Sequence, residues 1–241
     1  MAAITVVTVQ DTTGVTGVHP IPAPIVHDQI ARVLGDIGAD AVKIGMLHSV
    51  EIAAAVADAL DVAAAADTHG GIPLVLDTVM IAKDGAPLLR ENAVETLKAR
   101  LIPRAALVTP NAPEAARLTG LRIETPDDLV QAGMALIAMG AGAALVTGGH
   151  LAGATVTDAL VTPGKVRLFE AKRLDTRSTH GTGCTLASAC AAGLAQNMEL
   201  AEAVARAHTF VRNAILTAPG FGHGRGPLNH IEAGKLDLGP R

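Results

Sequence analysis

The run Thr179-His180-Gly181-Thr182-Gly183-Cys184-Thr185 places two glycines, a small polar residue and a thiol directly ahead of an Ala-rich apolar stretch. Glycines on either side of a threonine let successive backbone N–H groups turn toward one point. A helix starting there adds its own unsatisfied amides and the positive end of its dipole. Such a turn is a cradle for a phosphate or an oxyanion. Cys184 falls in the first helical turn, a position that lowers a thiol's pKa and makes the sulfur a proton acceptor near neutrality. The plainer alternative is a Gly-rich turn capping a buried helix, with Cys184 a small apolar residue like Cys190.

Oxygen donors follow several β-branched runs. Asp77 and Glu114 are the carboxylates best placed for a cation, and Asn111 stands at i to the i+3 of Glu114 at a helix start, so the two can face one point. Mg²⁺ takes one or two carboxylates together with waters and substrate phosphates. The alternative is that Asp77 ends a strand and Asn111 caps a helix. Thr147-Gly148-Gly149 either meets a ligand or only turns the chain, and His150 reads as structural. No Gly-x-x-x-x-Gly-Lys-Ser/Thr loop occurs and no early Gly-x-Gly-x-x-Gly follows a strand. Cys184 and Cys190 do not have a zinc spacing, so neither a Rossmann dehydrogenase nor a zinc hydrolase is supported.

The elements that must position these groups are legible from the apolar pattern. The chain has 241 residues, 49% apolar and 17% charged, which excludes a disordered chain and fits one α/β domain over residues 1–241. A net charge of −4 without a basic block argues against nucleic-acid binding, and three phenylalanines as the only Phe, Tyr or Trp leave no stacking platform. The N-terminus has neither a basic region nor a signal-like segment, and the long uncharged stretch 132–149 is broken by five glycines. A cytoplasmic protein without a membrane span is expected.

Strands are predicted at 4–9, 41–44, 73–76, 106–109 and 143–146, separated by helices at 25–34, 50–66, 91–101, 112–119 and 126–139. Residues 11–24, with Pro20, Pro22 and Pro24, read as a loop, and Pro103 as a helix stop. Ser49 and Thr125 read as N-caps. Residues 155–161 and 165–170, around Pro163-Gly164, read as an antiparallel hairpin, with two closing helices at 183–196 and 200–216. Strands alternating with helices imply a mostly parallel sheet covered on both faces, with ligands at the carboxyl ends of its strands.

Lys43-Ile44-Gly45-Met46-Leu47, Leu76-Asp77-Thr78-Val79-Met80, Thr109-Pro110-Asn111 with Glu114, Gly148-Gly149-His150 and the Cys184 turn occur in that order. Together they resemble the hydroxymethylpyrimidine/phosphomethylpyrimidine kinase family of thiamine biosynthesis, a ribokinase-like three-layer sandwich. The resemblance runs from about residue 4 to His230, through Gly224-Arg225-Gly226-Pro227-Leu228-Asn229. It implies ATP-dependent phosphorylation of 4-amino-5-hydroxymethyl-2-methylpyrimidine and of its monophosphate, by a homodimer.

In that resemblance Gln10 hydrogen-bonds the pyrimidine, and Met46 and Val79 line its pocket. Cys184 assists deprotonation of the hydroxyl, while Gly181, Thr182 and Gly183 stabilise the moving phosphoryl group. Asp77, Asn111 and Glu114 organise Mg²⁺, and Thr147, Gly149, Thr176 and His180 meet the nucleotide. The chain departs from the family twice. Thr147 stands where a lysine often precedes the Gly-Gly pair, so weaker nucleotide affinity, or compensation by Mg²⁺ or Arg177, is expected. The family's opening strand, Gly-rich loop and helix have no counterpart in the sequence, so Met1 is expected to be a downstream start within a longer natural protein, and a truncated or non-catalytic ligand-binding form is one alternative. Pyridoxal kinase is the other.

Overall fold

Short apolar runs set the architecture. Leu74-Val75-Leu76 and Ala144-Leu145-Val146 are buried at every position, as strands covered on both faces must be. The computed structural model describes residues 1–66, 71–81, 85 and 87–236. Its main sheet has six strands in sequence order: β3 (Val42–Ile44), β4 (Leu74–Leu76), β5 (Leu107–Val108), β6 (Ala144–Thr147), β7 (Thr155–Thr162) and β8 (Lys165–Lys172). The first four pair in parallel; β7 and β8 are antiparallel additions.

Side chains alternate between two cores. Leu74, Leu76, Val108, Ala144 and Val146 join a cluster under α1 (Ala23–Asp36), α2 (Val50–Ala66), α3 (Ala93–Thr96), α4 (Ala112–Thr119) and α5 (Pro126–Ala138). Val75, Leu107, Leu145 and Leu160 face the opposite way, against α6 (Thr182–Ala195) and α7 (Leu200–Leu216). This one-residue alternation is the period-two geometry of a strand, and it yields helices, sheet and helices in three layers, as expected. A last short helix, α8 (His230–Ala233), packs on α7.

Helix ends follow their local chemistry. Asn111 and Thr125 each make a capping box, Asn111 with Glu114 and Thr125 with Asp128, and α4 ends on Gly120 in the left-handed conformation. Pro103 does not stop the third helix at Leu101. The chain continues from α3 through a π turn, Leu97–Leu101, into a 3₁₀ turn, Ile102–Arg104, in which the proline sits near the start, where its missing N–H costs nothing.

The N-terminal expectation is corrected. Val6–Gln10 forms β1, but it pairs only with β2 (Val15–Pro20), in a separate antiparallel hairpin outside the main sheet. Residues 15–20 are therefore strand, not loop; Pro20 is tolerated because it ends the strand. Among the described residues β3 forms the edge of the main sheet. The hairpin is anchored by Thr5 Oγ1, which donates to the Met46 carbonyl at 2.7 Å. Its turn meets the C-terminal loop, where the Arg225 amide donates to the Thr12 carbonyl at 2.7 Å.

Candidate active site

Groups carried by the tips of the parallel strands meet the start of α6. Gly181 caps that helix at φ 78°, a left-handed conformation open to glycine without a Cβ penalty. The first intrahelical bond runs from the Thr185 amide to the Gly181 carbonyl. At Gly181 and Gly183 a Cβ would meet nothing within 4 Å, so the turn faces open space. From below it is held by Thr182 Oγ1 on the Thr179 carbonyl at 3.3 Å, by the His180 amide on the Gly226 carbonyl at 3.1 Å, and by Thr185 Oγ1 against His230 Nε2 at 2.9 Å.

Cys184 lies beside Asp77, and Lys43 and Glu114 are also close enough to act on its charge. Cys184 is exposed as a residue, yet the protein around the thiol displaces water and the Asp77 carboxylate lies alongside. Both effects disfavour a thiolate and push the Cys184 thiol up, to about 12. That exposure tempers the loss of water; the carboxylates act at close range, so the upward direction stands. The expected lowering by the helix terminus is reversed because loss of water, together with the negative neighbours Asp77 and Glu114, outweighs the single lysine.

Lys43 is a site residue that motif reading overlooked. Its ammonium lies 2.9 Å from Asp77 Oδ2, and both side chains are largely buried. The signal was in the spacing: Lys43 and Gly45 share one face of the strand, and a Cβ at Gly45 would stand 2.8 Å from Lys43 Nζ. Glycine leaves room for the lysine to fold across to Asp77.

Glu114 is 7% exposed and tightly held. Its Oε2 accepts from Thr78 Oγ1 and from the Asn111 amide, each at 3.1 Å, and its Oε1 faces the Met80 amide at 3.4 Å. Burial, reinforced by the charge of Asp77, pushes its carboxyl up to about 7 against these bonds. Asn111 turns its side-chain oxygen into its own helix, accepting the Glu114 amide at 3.0 Å. A direct metal contact from Asn111 would have to give up that cap. No group of three or more His, Cys, Asp or Glu able to hold a metal occurs among the described residues. Two mutually repelling carboxylates fit a Mg²⁺ that arrives with a nucleotide and keeps waters and phosphate oxygens as its other ligands.

The remaining expected residues spread around this centre. Met46 and Val79 follow β3 and β4, half-buried, and Val79 is the one residue of 77–80 that is not buried. Gln10 is exposed at the end of β1, beside a register shift, one residue before the turn that meets the 222–225 loop. Thr147 ends β6 and bridges to Asn111, Gly148 is buried, and Gly149 and His150 are exposed. Thr176 Oγ1 accepts the Ser178 amide at 3.1 Å, just before the Gly181 turn, and His180 is exposed on it. Arg177 is exposed, and Arg173, not Arg177, is the arginine on the Gly149 loop.

A three-layer α/β fold with an amide turn at a helix start, a thiol and two carboxylates defines a small-molecule kinase of the ribokinase-like class. The Phosphomethylpyrimidine kinase family profile matches residues 1–229, and the chain belongs to this family. The hydroxymethylpyrimidine/phosphomethylpyrimidine kinase of Streptomyces coelicolor is 43% identical over 95% of the chain and 82% of its own length. A bifunctional thiamine biosynthesis protein of Geobacter sulfurreducens is also 43% identical, over 96% of the chain, but the chain spans only 46% of that longer protein. Among solved structures, Bacillus subtilis pyridoxal kinase in complex with ADP superposes with TM-score 0.88 at 32% identity, over 98% of this chain and 88% of that one. Clostridium difficile phosphomethylpyrimidine kinase gives 0.76 at 36%, over 89% and 86%. No described helix is long and apolar enough to cross a membrane.

Proposed function

We propose that the chain transfers the terminal phosphoryl group of ATP to the hydroxymethyl oxygen of 4-amino-5-hydroxymethyl-2-methylpyrimidine, and then phosphorylates the resulting monophosphate. The observation that carries this reading is the Cys184 thiol set beside the Asp77 carboxylate at the open amide turn of α6. Met46 and Val79 form the apolar wall of the pyrimidine pocket, and Gln10 closes it from the hairpin. Thr147, Gly149, Thr176 and His180 receive the nucleotide.

Phosphoryl transfer passes through a loose transition state, in which positioning and charge stabilisation do most of the work. The amides of the Gly181–Cys184 turn stabilise charge on the moving group. Asp77 and Glu114 would hold a Mg²⁺ that arrives with the nucleotide, which would offset charge on the triphosphate. With the charge of Asp77 and Glu114 offset by Mg·ATP, the Cys184 thiol would give up its proton to solvent, and the sulfur would then take the hydroxyl proton as that oxygen bonds to phosphorus and ADP leaves. Because that proton leaves late in a loose transition state, a thiol protonated in the free protein and ionised only with Mg·ATP suffices. Lys43 keeps Asp77 oriented, and the Asn111 cap keeps Glu114 in place. The exposed Val7 and Val9 of the hairpin fit burial in a homodimer, which sedimentation equilibrium tests.

Pyridoxal is the second reading, favoured by the superposition on pyridoxal kinase. A coupled assay of ADP release with each alcohol decides between them. Faster turnover of the pyrimidine supports the proposal; faster turnover of pyridoxal overturns the substrate assignment.

A further inference from the structure

Asp158 carries a buried carboxylate that the chemistry above does not use. It lies on β7 between Thr147 of β6 and Phe169 of β8, and is 7% exposed. One oxygen accepts the Gly148 amide at 2.8 Å. The other faces His208 Nε2, on α7, at 3.5 Å, and that buried nitrogen makes no hydrogen bond. Phe169 stacks on the imidazole at 4.9 Å between ring centres, and Arg167 covers Phe169 at 4.8 Å.

A buried carboxylate is costly unless it is bonded, and this one spends its hydrogen bond on a single backbone amide. The turn containing that amide is confined from other sides as well. A Cβ on Gly148 would lie 2.2 Å from the Thr157 carbonyl, so the backbone needs glycine to approach β7 this closely. Arg173 donates to the carbonyls of Gly149, Gly153 and Leu151. Gly149 is left as the open part of the turn, with nothing within 4 Å of a Cβ position.

We propose that Asp158 is a positioning residue for the nucleotide: through the Gly148 amide it holds the Thr147–Gly149 turn in the shape that receives phosphate, with neutral His208 behind it. The proposal rests on reading that turn as nucleotide-binding. It also accounts for how a turn without the family's lysine can receive a phosphate, since a backbone already held in shape needs no reorganisation on binding.

Burial pushes Asp158 up to about 6 and His208 down to about 4. Near neutrality the carboxylate is ionised and the imidazole neutral. Below about 6 Asp158 takes up a proton and can donate a hydrogen bond to the unpaired His208 nitrogen, and the hold on Gly148 weakens. The groups facing Asp158 on this layer are Thr147 from β6, Phe169 and Arg167 from β8, and His208 from α7. Cys190 of α6 lies in the same layer and is pushed up to about 12, outside this range. Glu170 lies across the strand, bonded to Thr157.

The test measures steady-state kinetics of the full chain from pH 5 to 8, with hydrogen exchange at the Gly148 amide in the nucleotide-free protein. Asp158→Ala should raise the KM for ATP about tenfold, change kcat by less than about twofold, and speed Gly148 exchange, as loss of a bond to a charged acceptor requires. Asp158→Asn keeps an acceptor, so at pH 8 its KM should stay within about threefold of the wild type. It should also lose the part of the wild-type KM rise below pH 6 that Asp158 causes, whatever Glu114 contributes to both proteins. Unchanged ATP KM and unchanged exchange in Asp158→Ala overturn the proposal, as does an equal loss in kcat and both KM values that Asp158→Asn fails to rescue. Faster exchange with unchanged ATP KM shows Asp158 fixing a turn that does not hold nucleotide, and overturns the reading on which the proposal rests.

Discussion

Cys184 shows how one neighbour changes a residue's chemistry. A thiol at a helix start is ordinarily more acidic; here burial, reinforced by Asp77 and Glu114, keeps it protonated in the free protein. Compensating those carboxylates should bring the thiol back down, so alkylation by iodoacetamide should begin at lower pH with Mg²⁺ and a product-like nucleotide than without them. An unchanged alkylation profile would contradict the electrostatic account. Cys184→Ala should lower kcat on the order of 10²-fold or more, with the ATP KM little altered, as for loss of a positioned proton acceptor. Glu114 gives a stability signature. Its folded value near 7 lies above the usual 4.5, so its contribution is complete below about 4.5 and is lost as pH rises through about 7. Without divalent cations, chemical denaturation should show stability falling by up to about 3 kcal/mol over that range, with a shallower slope in Glu114→Gln. The motif residues themselves were legible in the sequence. Lys43 was hidden in a motif read only as a family marker, and Asp158 meets Gly148 and His208 from 10 and 50 positions away, a separation no local pattern reports.

Elements were legible where local chemistry and tertiary packing agree. The Thr125 box, the Asn111 cap, the Pro163-Gly164 hairpin and the bounds of α7 follow from side chains within a few positions of each element. The N-terminal hairpin was not legible. Its second strand ends in a proline and carries Gly17, so strand propensity is weak, and what forms it is pairing with β1 and contact with the distant 222–225 loop. The third helix ran past its expected stop because Pro103 falls in the first turn of a new 3₁₀ segment. The Asn111 cap gives a separate check at this scale. Asn111→Ala should cost about 1 kcal/mol of stability by urea denaturation, and it should also weaken Mg²⁺ dependence, because the cap fixes Glu114. A stability loss with unaltered Mg²⁺ dependence would separate the cap from the site.

For the whole molecule, the sandwich brings four parallel strand ends and one helix start to the same edge, and residues from positions 43 to 184 meet there. Three-layer order was readable because the parallel strands are apolar apart from Lys43 and Thr147 and each helix keeps its own period. Which strands share a sheet was less readable, since a 5-residue β-branched run at the N-terminus looks the same whether it joins the main sheet or a hairpin. The family and the site agree on a kinase, and the pyrimidine alcohol is its proposed substrate. Mass spectrometry of the full chain incubated with the pyrimidine alcohol and Mg·ATP tests this most directly. The account predicts one and then two added phosphates on the pyrimidine, and their loss in Cys184→Ala; an unmodified pyrimidine with the folded wild-type chain would contradict it.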